Sequence, residues 1–374
     1  MTMRKVKTLQ WMITERCNYS CRHCYLGEDK KIEPTTDELI SYIPLIKEAG
    51  IESVVITGGE PLIRNDFEIL VKELSRSGIS ISAIITNGFY LNERILGCLK
   101  DNGHNPTFCI SYDGDESHDF IRNRAGARAD ALKAFDLCKS EGFRTSSDMM
   151  FCRANMDELR SSVKTLNDHG CSSLKVTPLI MSGSAGKFIP DLKLSPSQVL
   201  DAFCNYIPDY YRDHISMEIY LNAYFYAASY EGIWAIPADD ACSFVDNCEM
   251  GLCANEKLIP FLNAQGRLLP CAGAASARKE IIDDMAFVKE VGFIEALNSP
   301  GISCFYGYTL KQQMDNNTDC KNCKYINKCM GGCRIVASFE DGSISGRDKY
   351  FCTYFRNDYR EKILKAVKHG KELV

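Results

Sequence analysis

The chain has 374 residues, enough to bury a substantial core and to divide into two or three structural units. Its 45% hydrophobic and 25% charged residues exclude a disordered chain. A formal net charge of −5 argues against broad capture of nucleic acid, and no apolar run is long enough for a bilayer or a signal peptide, so a cytoplasmic protein with neither nucleic acid nor membrane as partner is expected.

Up to about residue 180, short β-branched runs alternate with longer charged, amphipathic segments. The predicted strands are TLQWMIT, SVVIT, SISAIIT, TFCISY, TSSDMMF and SLKVTPL. The helices between them include TTDELISYIPLIKEAG, DFEILVKELSRSG and ERILGCLKDNG. This alternation predicts an α/β fold of repeated units on a parallel sheet. Six units are too few for a closed eight-stranded barrel, so an open, partial (β/α)6 barrel is expected, with functional residues at the C-terminal ends of its strands.

After Gly183 comes an aromatic-rich stretch containing Tyr206, Tyr210, Tyr211, Tyr220, Tyr224, Tyr226 and Tyr230, which reads as core packing. A segment dense in cysteine follows from Cys242 to Cys352, and the end of the chain reads as an amphipathic helix. The expected division is a barrel with its linker helix over residues 1–235 and a small, cysteine-rich, metal-bound domain over 236–374.

Nineteen cysteines in a reducing compartment point to metal ligation or catalysis more than to disulfides. Cys17, Cys21 and Cys24 follow the first predicted strand as C-x3-C-x2-C. Three thiolates hold three irons of a cubane and leave the fourth open to a ligand. Zinc is the competing occupant, but it takes a fourth protein ligand, and His23 between two of the cysteines is awkwardly placed for tetrahedral closure.

The triplet resembles the cluster motif of the radical S-adenosylmethionine (SAM) superfamily, and three further segments extend the resemblance. ITGGEP, with Gly58, Gly59 and Glu60, ends the second predicted strand and is similar to the family's glycine–glycine–glutamate motif, which meets the methionine amino group of SAM. The glycines allow backbone approach, and Glu60 supplies an acceptor. ITNGFYL, with Asn87, ends the third strand and ISYDGDESHDFIR the fourth. By resemblance these line the SAM site, Ser111 as a ribose contact and Arg122 facing the SAM carboxylate or ribose. Singly, Asn87–Gly88 and Asp113–Gly114 read as turns and Arg122 as a surface ion pair. Their recurrence at successive strand ends, in step with the cysteines, favours the cofactor site. The resemblance implies reductive cleavage of SAM to a 5′-deoxyadenosyl radical that abstracts a substrate hydrogen.

Further on, Cys320, Cys323, Cys329 and Cys333 are spaced C-x2-C-x5-C-x3-C, with Cys352 beyond and Cys248, Cys253 and Cys271 upstream. This pattern is similar to the SPASM domain, a module that holds auxiliary iron–sulfur clusters. Position by position, the resemblance assigns Cys248, Cys253, Cys271 and Cys333 to one [4Fe–4S] cluster. Cys320, Cys323, Cys329 and Cys352 go to another, making three clusters in all. Cys242 competes with Cys248, and a pair of zinc knuckles is the alternative for the whole region. Most of Cys98, Cys109, Cys138, Cys152, Cys171, Cys204, Cys242 and Cys304 read as small core residues.

The resemblance implies a residue of a peptide or protein as substrate, in the maturation of a ribosomally made precursor by crosslink, thioether, epimerisation or oxidation. It also implies a flavodoxin- or ferredoxin-type reductant. Only sixteen residues precede Cys17, so leader recognition falls to a separate protein or another surface. Sulfatase-maturating relatives carry an aspartate where Ala272 follows Cys271, which disfavours formylglycine formation here. His118 and Asp119 read as helix-start structure, and no general base is assigned. The alternatives are a small-molecule substrate such as a tetrapyrrole or sugar, and an iron–sulfur electron carrier that leaves SAM intact.

Overall fold

The computed structural model describes residues 6–28, 32–221, 225–227, 251–253, 259–277 and 279–374. Cys242, Cys248, Tyr224 and Tyr230 lie outside these residues, and of Tyr226 only the backbone is described.

All six predicted strands are present: β1 (Thr8–Met12), β2 (Ser53–Thr57), β3 (Ser80–Thr86), β4 (Thr107–Ser111), β5 (Thr145–Phe151) and β6 (Ser173–Pro178). They pair in chain order and in parallel. Helices α1 (Thr36–Glu48), α2 (Phe67–Arg76) and α3 (Glu93–Asp101) follow the first three strands. Helices α4 (His118–Arg122) and α5 (Ala127–Ser140) follow β4, and α6 (Leu159–Asp168) follows β5. Helix α1 starts at a capping box, in which the Thr35 and Glu38 side chains and backbone N–H groups satisfy one another. Its buried residues Leu39, Tyr42, Ile43 and Ile46 recur at helical spacing and form the stripe that packs on the sheet.

The sheet is longer than six strands. Strand β7 (Glu218–Leu221) continues it in parallel and β8 (Phe225–Ala227) turns back antiparallel. At the other edge β9 (Phe261–Leu262) pairs in parallel with β1, and β10 (Leu268–Leu269) returns along β9. The order β10-β9-β1-β2-β3-β4-β5-β6-β7-β8 begins and ends on different strands, so the barrel is open. A hairpin of the cysteine-rich region thus extends the barrel's own sheet across the expected boundary at residue 235.

After β6 come α7 (Ala185–Phe188) and α8 (Pro196–Arg212). Tyr206, Tyr210 and Tyr211 of α8 are buried. The terminal helix Tyr359–Glu372 packs on α8, where the Tyr359 hydroxyl donates to Asp201 Oδ1 at 2.8 Å. The rest of the C-terminal region is short helices, braced by the fully buried Arg334. Its Nη1 donates to Gln313 Oε1 at 2.5 Å and to the Ile344 carbonyl at 2.7 Å. Among the described residues no helix is long and apolar enough to cross a membrane.

Alternation along the strands separates two faces. Phe108, Ile110, Met149, Leu174, Val176, Ile219 and Leu221 are buried in the main core on the helix-facing side. The intervening residues, among them Cys109, Ser111, Asp148 and Lys175, face the concave side of the barrel.

Candidate active site

The cysteine triplet sits in the loop after β1, held from beneath by the glycines of the next loop. The N–H groups of Gly59 and Glu60 donate to the carbonyls of Thr14 and Arg16, each at 2.8 Å. A side chain at Gly59 would collide with the Glu15 and Arg16 carbonyls, and one at Gly58 would sit 2.8 Å from the Thr14 carbonyl. These glycines therefore let the loop leading into Cys17 lie directly on the loop after β2.

Glu60 is fully buried, and its carboxylate accepts from Leu62 N at 3.0 Å, Thr86 Oγ1 at 2.8 Å and Asn87 N at 2.7 Å. Burial pushes its carboxyl up to about 7 against the pull of these three donors. It ties the loop after β2 to the loop after β3, a task separate from the acceptor role read from the sequence.

Donors converge on the cysteine sulfurs. Tyr19 N lies 3.4 Å and Asn87 Nδ2 3.9 Å from Cys17 Sγ, and Asn87 Nδ2 also donates to Asn18 Oδ1 at 2.8 Å. Arg122 Nη1 stands 4.0 Å from Cys21 Sγ. Cys21 is buried with Tyr19 and Ala127, and Cys17 and Cys24 pack against them. From the far side, Ser184 N donates to the Cys24 carbonyl at 2.9 Å, and Gly183, at φ +52°, leaves no room for a Cβ against that carbonyl. Beside the triplet lies a cavity of about 510 Å³, reached by Cys17, Tyr19, Cys21, Arg22, Asn123 and Ser184. Three thiols in one loop, surrounded by N–H donors and a guanidinium, fit the thiolates that an iron–sulfur cluster requires.

Arg122 is engaged inward. Its Nε lies 2.5 Å from Oδ2 of Asp113, which is fully buried and also accepts from Met150 N at 2.8 Å. Burial works against the charge of Asp113, but Arg122, His23 and His118 outweigh it and hold the carboxyl low. His118 accepts from Asp113 N at 2.9 Å, and Asp119 caps the Gly126 and Arg128 N–H groups at 2.7 and 2.8 Å. Both thus shape the segment around α4. Ser111 stands at the end of β4 on the concave face.

In the C-terminal region, Cys329 is pushed up to about 12 by burial and by the neighbouring charges of Cys352, Cys320 and Cys323. Cys333 stands exposed, with Cys271 and Asp348 within electrostatic reach. The chain therefore brings Cys320, Cys323, Cys329 and Cys352 together as one group, and Cys271 and Cys333 as another. Cys253 packs against the main core, as Cys271 does. The sulfurs are addressed by donors here too: Gln313 Nε2 lies 3.2 Å from Cys320 Sγ and Gly331 N 3.4 Å from Cys329 Sγ. Among the described residues, no three His, Cys, Asp or Glu side chains close on a single ion. Cubane ligands stand wider apart, each on its own iron. Of the cysteines read as core, Cys138, Cys152 and Cys171 are buried, Cys304 is exposed, and Cys109 lines the concave face.

Two charged residues that spacing does not single out also face the concave side. Asp148 and Lys175, with Cys109, Ser146, Ser147, Ser173 and Tyr220, line a cavity of about 460 Å³.

Residues 11–166 match the model of the Radical SAM superfamily. Over 165 residues the chain is 30% identical to GTP 3′,8-cyclase of Aquifex aeolicus, an alignment covering 42% of this chain and about half, 51%, of the cyclase. Over 373 residues it is 23% identical to AdoMet-dependent heme synthase of Oleidesulfovibrio alaskensis, covering 93% of this chain and 87% of the synthase. The fold is similar to that of anSMEcpe, solved with bound AdoMet and the Cp18Cys peptide, with a TM-score of 0.70 at 16% identity over 98% of this chain and 99% of that one.

Proposed function

From the match of residues 11–166 to the Radical SAM superfamily we propose that this chain is a radical SAM enzyme and that it acts on a residue of a peptide or protein held against the concave face of the barrel. The observation that carries the reading is the polar wall of that face. Ser146, Asp148, Ser173, Lys175 and Tyr220 offer hydrogen-bonding groups suited to a polar backbone and side chain, and the cavity they line is sized for a residue or two.

Cys17, Cys21 and Cys24 would hold a [4Fe–4S] cluster, which with SAM would supply radical chemistry able to take hydrogen from an unactivated carbon. The chain's own part is positioning. Glu60 locks two strand-end loops together, Gly58 and Gly59 seat the cysteine loop, and Asn87 and Arg122 beside that loop, with Ser111 at the end of β4, are the SAM-contacting candidates. Cys248, Cys253, Cys271 and Cys333 are the proposed ligands of one auxiliary cluster, and Cys320, Cys323, Cys329 and Cys352 of a second. A flavodoxin- or ferredoxin-type protein is the proposed electron donor.

One observation favours a second reading, a tetrapyrrole substrate. The alignment with AdoMet-dependent heme synthase spans nearly the whole of both chains.

The test is isotopic. Reconstituted, reduced enzyme with unlabelled SAM is given either a fully deuterated peptide digest or a deuterated small-molecule extract that includes tetrapyrroles. Deuterium in 5′-deoxyadenosine from the peptide pool is expected. Label drawn only from the small-molecule pool turns the assignment to the second reading.

A further inference from the structure

The parallel register places Ser111 opposite Asp148, Asp148 opposite Lys175, and Lys175 opposite Tyr220. Four side chains thus stand in one rung across β4, β5, β6 and β7, with neighbouring strands about 4.8 Å apart. The rung below, Cys109, Ser146 and Ser173, completes the same cavity wall. The rung starts at Ser111, a SAM-contacting candidate, and runs toward the open side of the barrel. Cys271, from the cysteine-rich region, lies within electrostatic reach of Lys175.

Neither charge is used up by the fold. Among the described residues, the Lys175 ammonium and the Asp148 carboxylate make no side-chain hydrogen bond or close ion pair, whereas Asp113 and Arg122 bond each other. Lys175 is exposed on the concave face, so in the ligand-free protein its ammonium is met by solvent rather than by a protein group and is open to a ligand that enters the cavity. The Asp148 carboxylate, on the neighbouring strand, favours the charged ammonium of Lys175.

We propose that Lys175 anchors a carboxylate of the substrate, with Asp148 steering the ammonium and accepting a hydrogen bond from an N–H or O–H group beside that carboxylate. This rests on the reading that the concave face receives the substrate. An acidic residue of a peptide and a propionate of a tetrapyrrole present the same chemistry, and binding measurements separate them.

The cluster-loaded, SAM-bound enzyme is titrated with two pairs of probes. One pair is N-acetyl-glutamate N-methylamide and its neutral glutamine isostere, and the other is an iron porphyrin with free propionates and its methyl ester. In at least one pair the wild-type protein is expected to bind the carboxylate form about tenfold or more tightly. Lys175→Met removes that preference and Lys175→Arg keeps most of it. Lys175→Gln replaces the methionine variant if the latter does not retain its clusters and unfolding midpoint. A wild-type protein without preference in either pair, or a preference that survives in Lys175→Met, overturns the anchor. Lys175-dependent binding of the porphyrin alone keeps the anchor and sinks the peptide reading. Equal, tight binding of both peptide probes, with no preference in the porphyrin pair, keeps the peptide reading and sinks the anchor.

Discussion

Arg122 and Asp113 form an ion pair at the floor of the site, Nε to Oδ2 at 2.5 Å, in which Asp113 is fully buried and the same guanidinium reaches Cys21 Sγ at 4.0 Å. One arginine therefore couples the segment after β4 to the cysteine loop. Breaking a buried pair from one side leaves an uncompensated charge, which costs far more than the pair itself contributes. Asp113→Asn should lower unfolding free energy by roughly 3–5 kcal/mol, measured by urea denaturation. Replacing both partners, in Asp113→Asn with Arg122→Met, should cost less than the sum of the single changes. Additive losses would mean that the two side chains act independently.

The glycines of the loop after β2 give a sharper test of how the cysteines are held. Gly59→Ala pushes a Cβ into two backbone carbonyls that have nowhere to go without moving Arg16 and then Cys17. The expected outcome is a folded protein that loses most of its N-terminal cluster, read as iron and acid-labile sulfide per chain. Gly97→Ala, inside α3 with nothing within 4 Å of the new methyl, is the control. It should retain iron and gain about 0.5–1 kcal/mol of stability. Unchanged iron in Gly59→Ala would show that the loop has slack.

How much of this was legible in the sequence depended on where the information lay. The six strands were legible because each is a run of mostly β-branched or apolar residues between turn residues, and β2, β3 and β5 match their predicted spans. The hairpin of Phe261–Leu262 and Leu268–Leu269 was not, since two-residue strands carry no period and exist through pairing with β1. Gly59 was visible as a motif, yet its neighbours Glu15 and Arg16 lie more than forty positions upstream. Asp148 and Lys175 each read as one polar residue in a strand, and only the β5–β6 register makes them a pair.

His118 predicts an acid-side weakness. It is 1% exposed, stacks on Tyr112 and accepts from Asp113 N, so burial drives its imidazole down from 6.5 to about 4, against the opposing charge of Asp113. The unfolded chain then binds a proton that the folded chain refuses. Stability from this group is present above pH 6.5 and drains away as pH falls toward 4, a loss of roughly 3 kcal/mol in full. His118→Asn keeps an acceptor for Asp113 N and cannot titrate. The stability difference between wild type and variant should shrink in the variant's favour between pH 6.5 and pH 4, measured by denaturation at fixed ionic strength. A pH-independent difference would mean that the imidazole takes up its proton as readily in the folded chain as in the unfolded one.

The two cysteine groups of the C-terminal region make a prediction about iron stoichiometry. Cys329 feels Cys320, Cys323 and Cys352, whereas Cys333, only four positions later, feels Cys271. The chain is turned between them: Gly331 and Gly332 both have positive φ, and Asp348 Oδ2 accepts from Cys333 N at 3.0 Å, aiming Cys333 away from its sequence neighbours. If each group holds its own cubane, Cys329→Ala and Cys352→Ala damage the same cluster. Each single variant should lose about four irons, and the double variant should lose no more than either alone. Cys329→Ala combined with Cys333→Ala should instead lose about eight, because two clusters are struck. Anaerobic iron determination with Mössbauer spectra on the four variants decides the matter. A further four-iron loss from Cys352→Ala in the Cys329→Ala background would separate cysteines that the fold holds together.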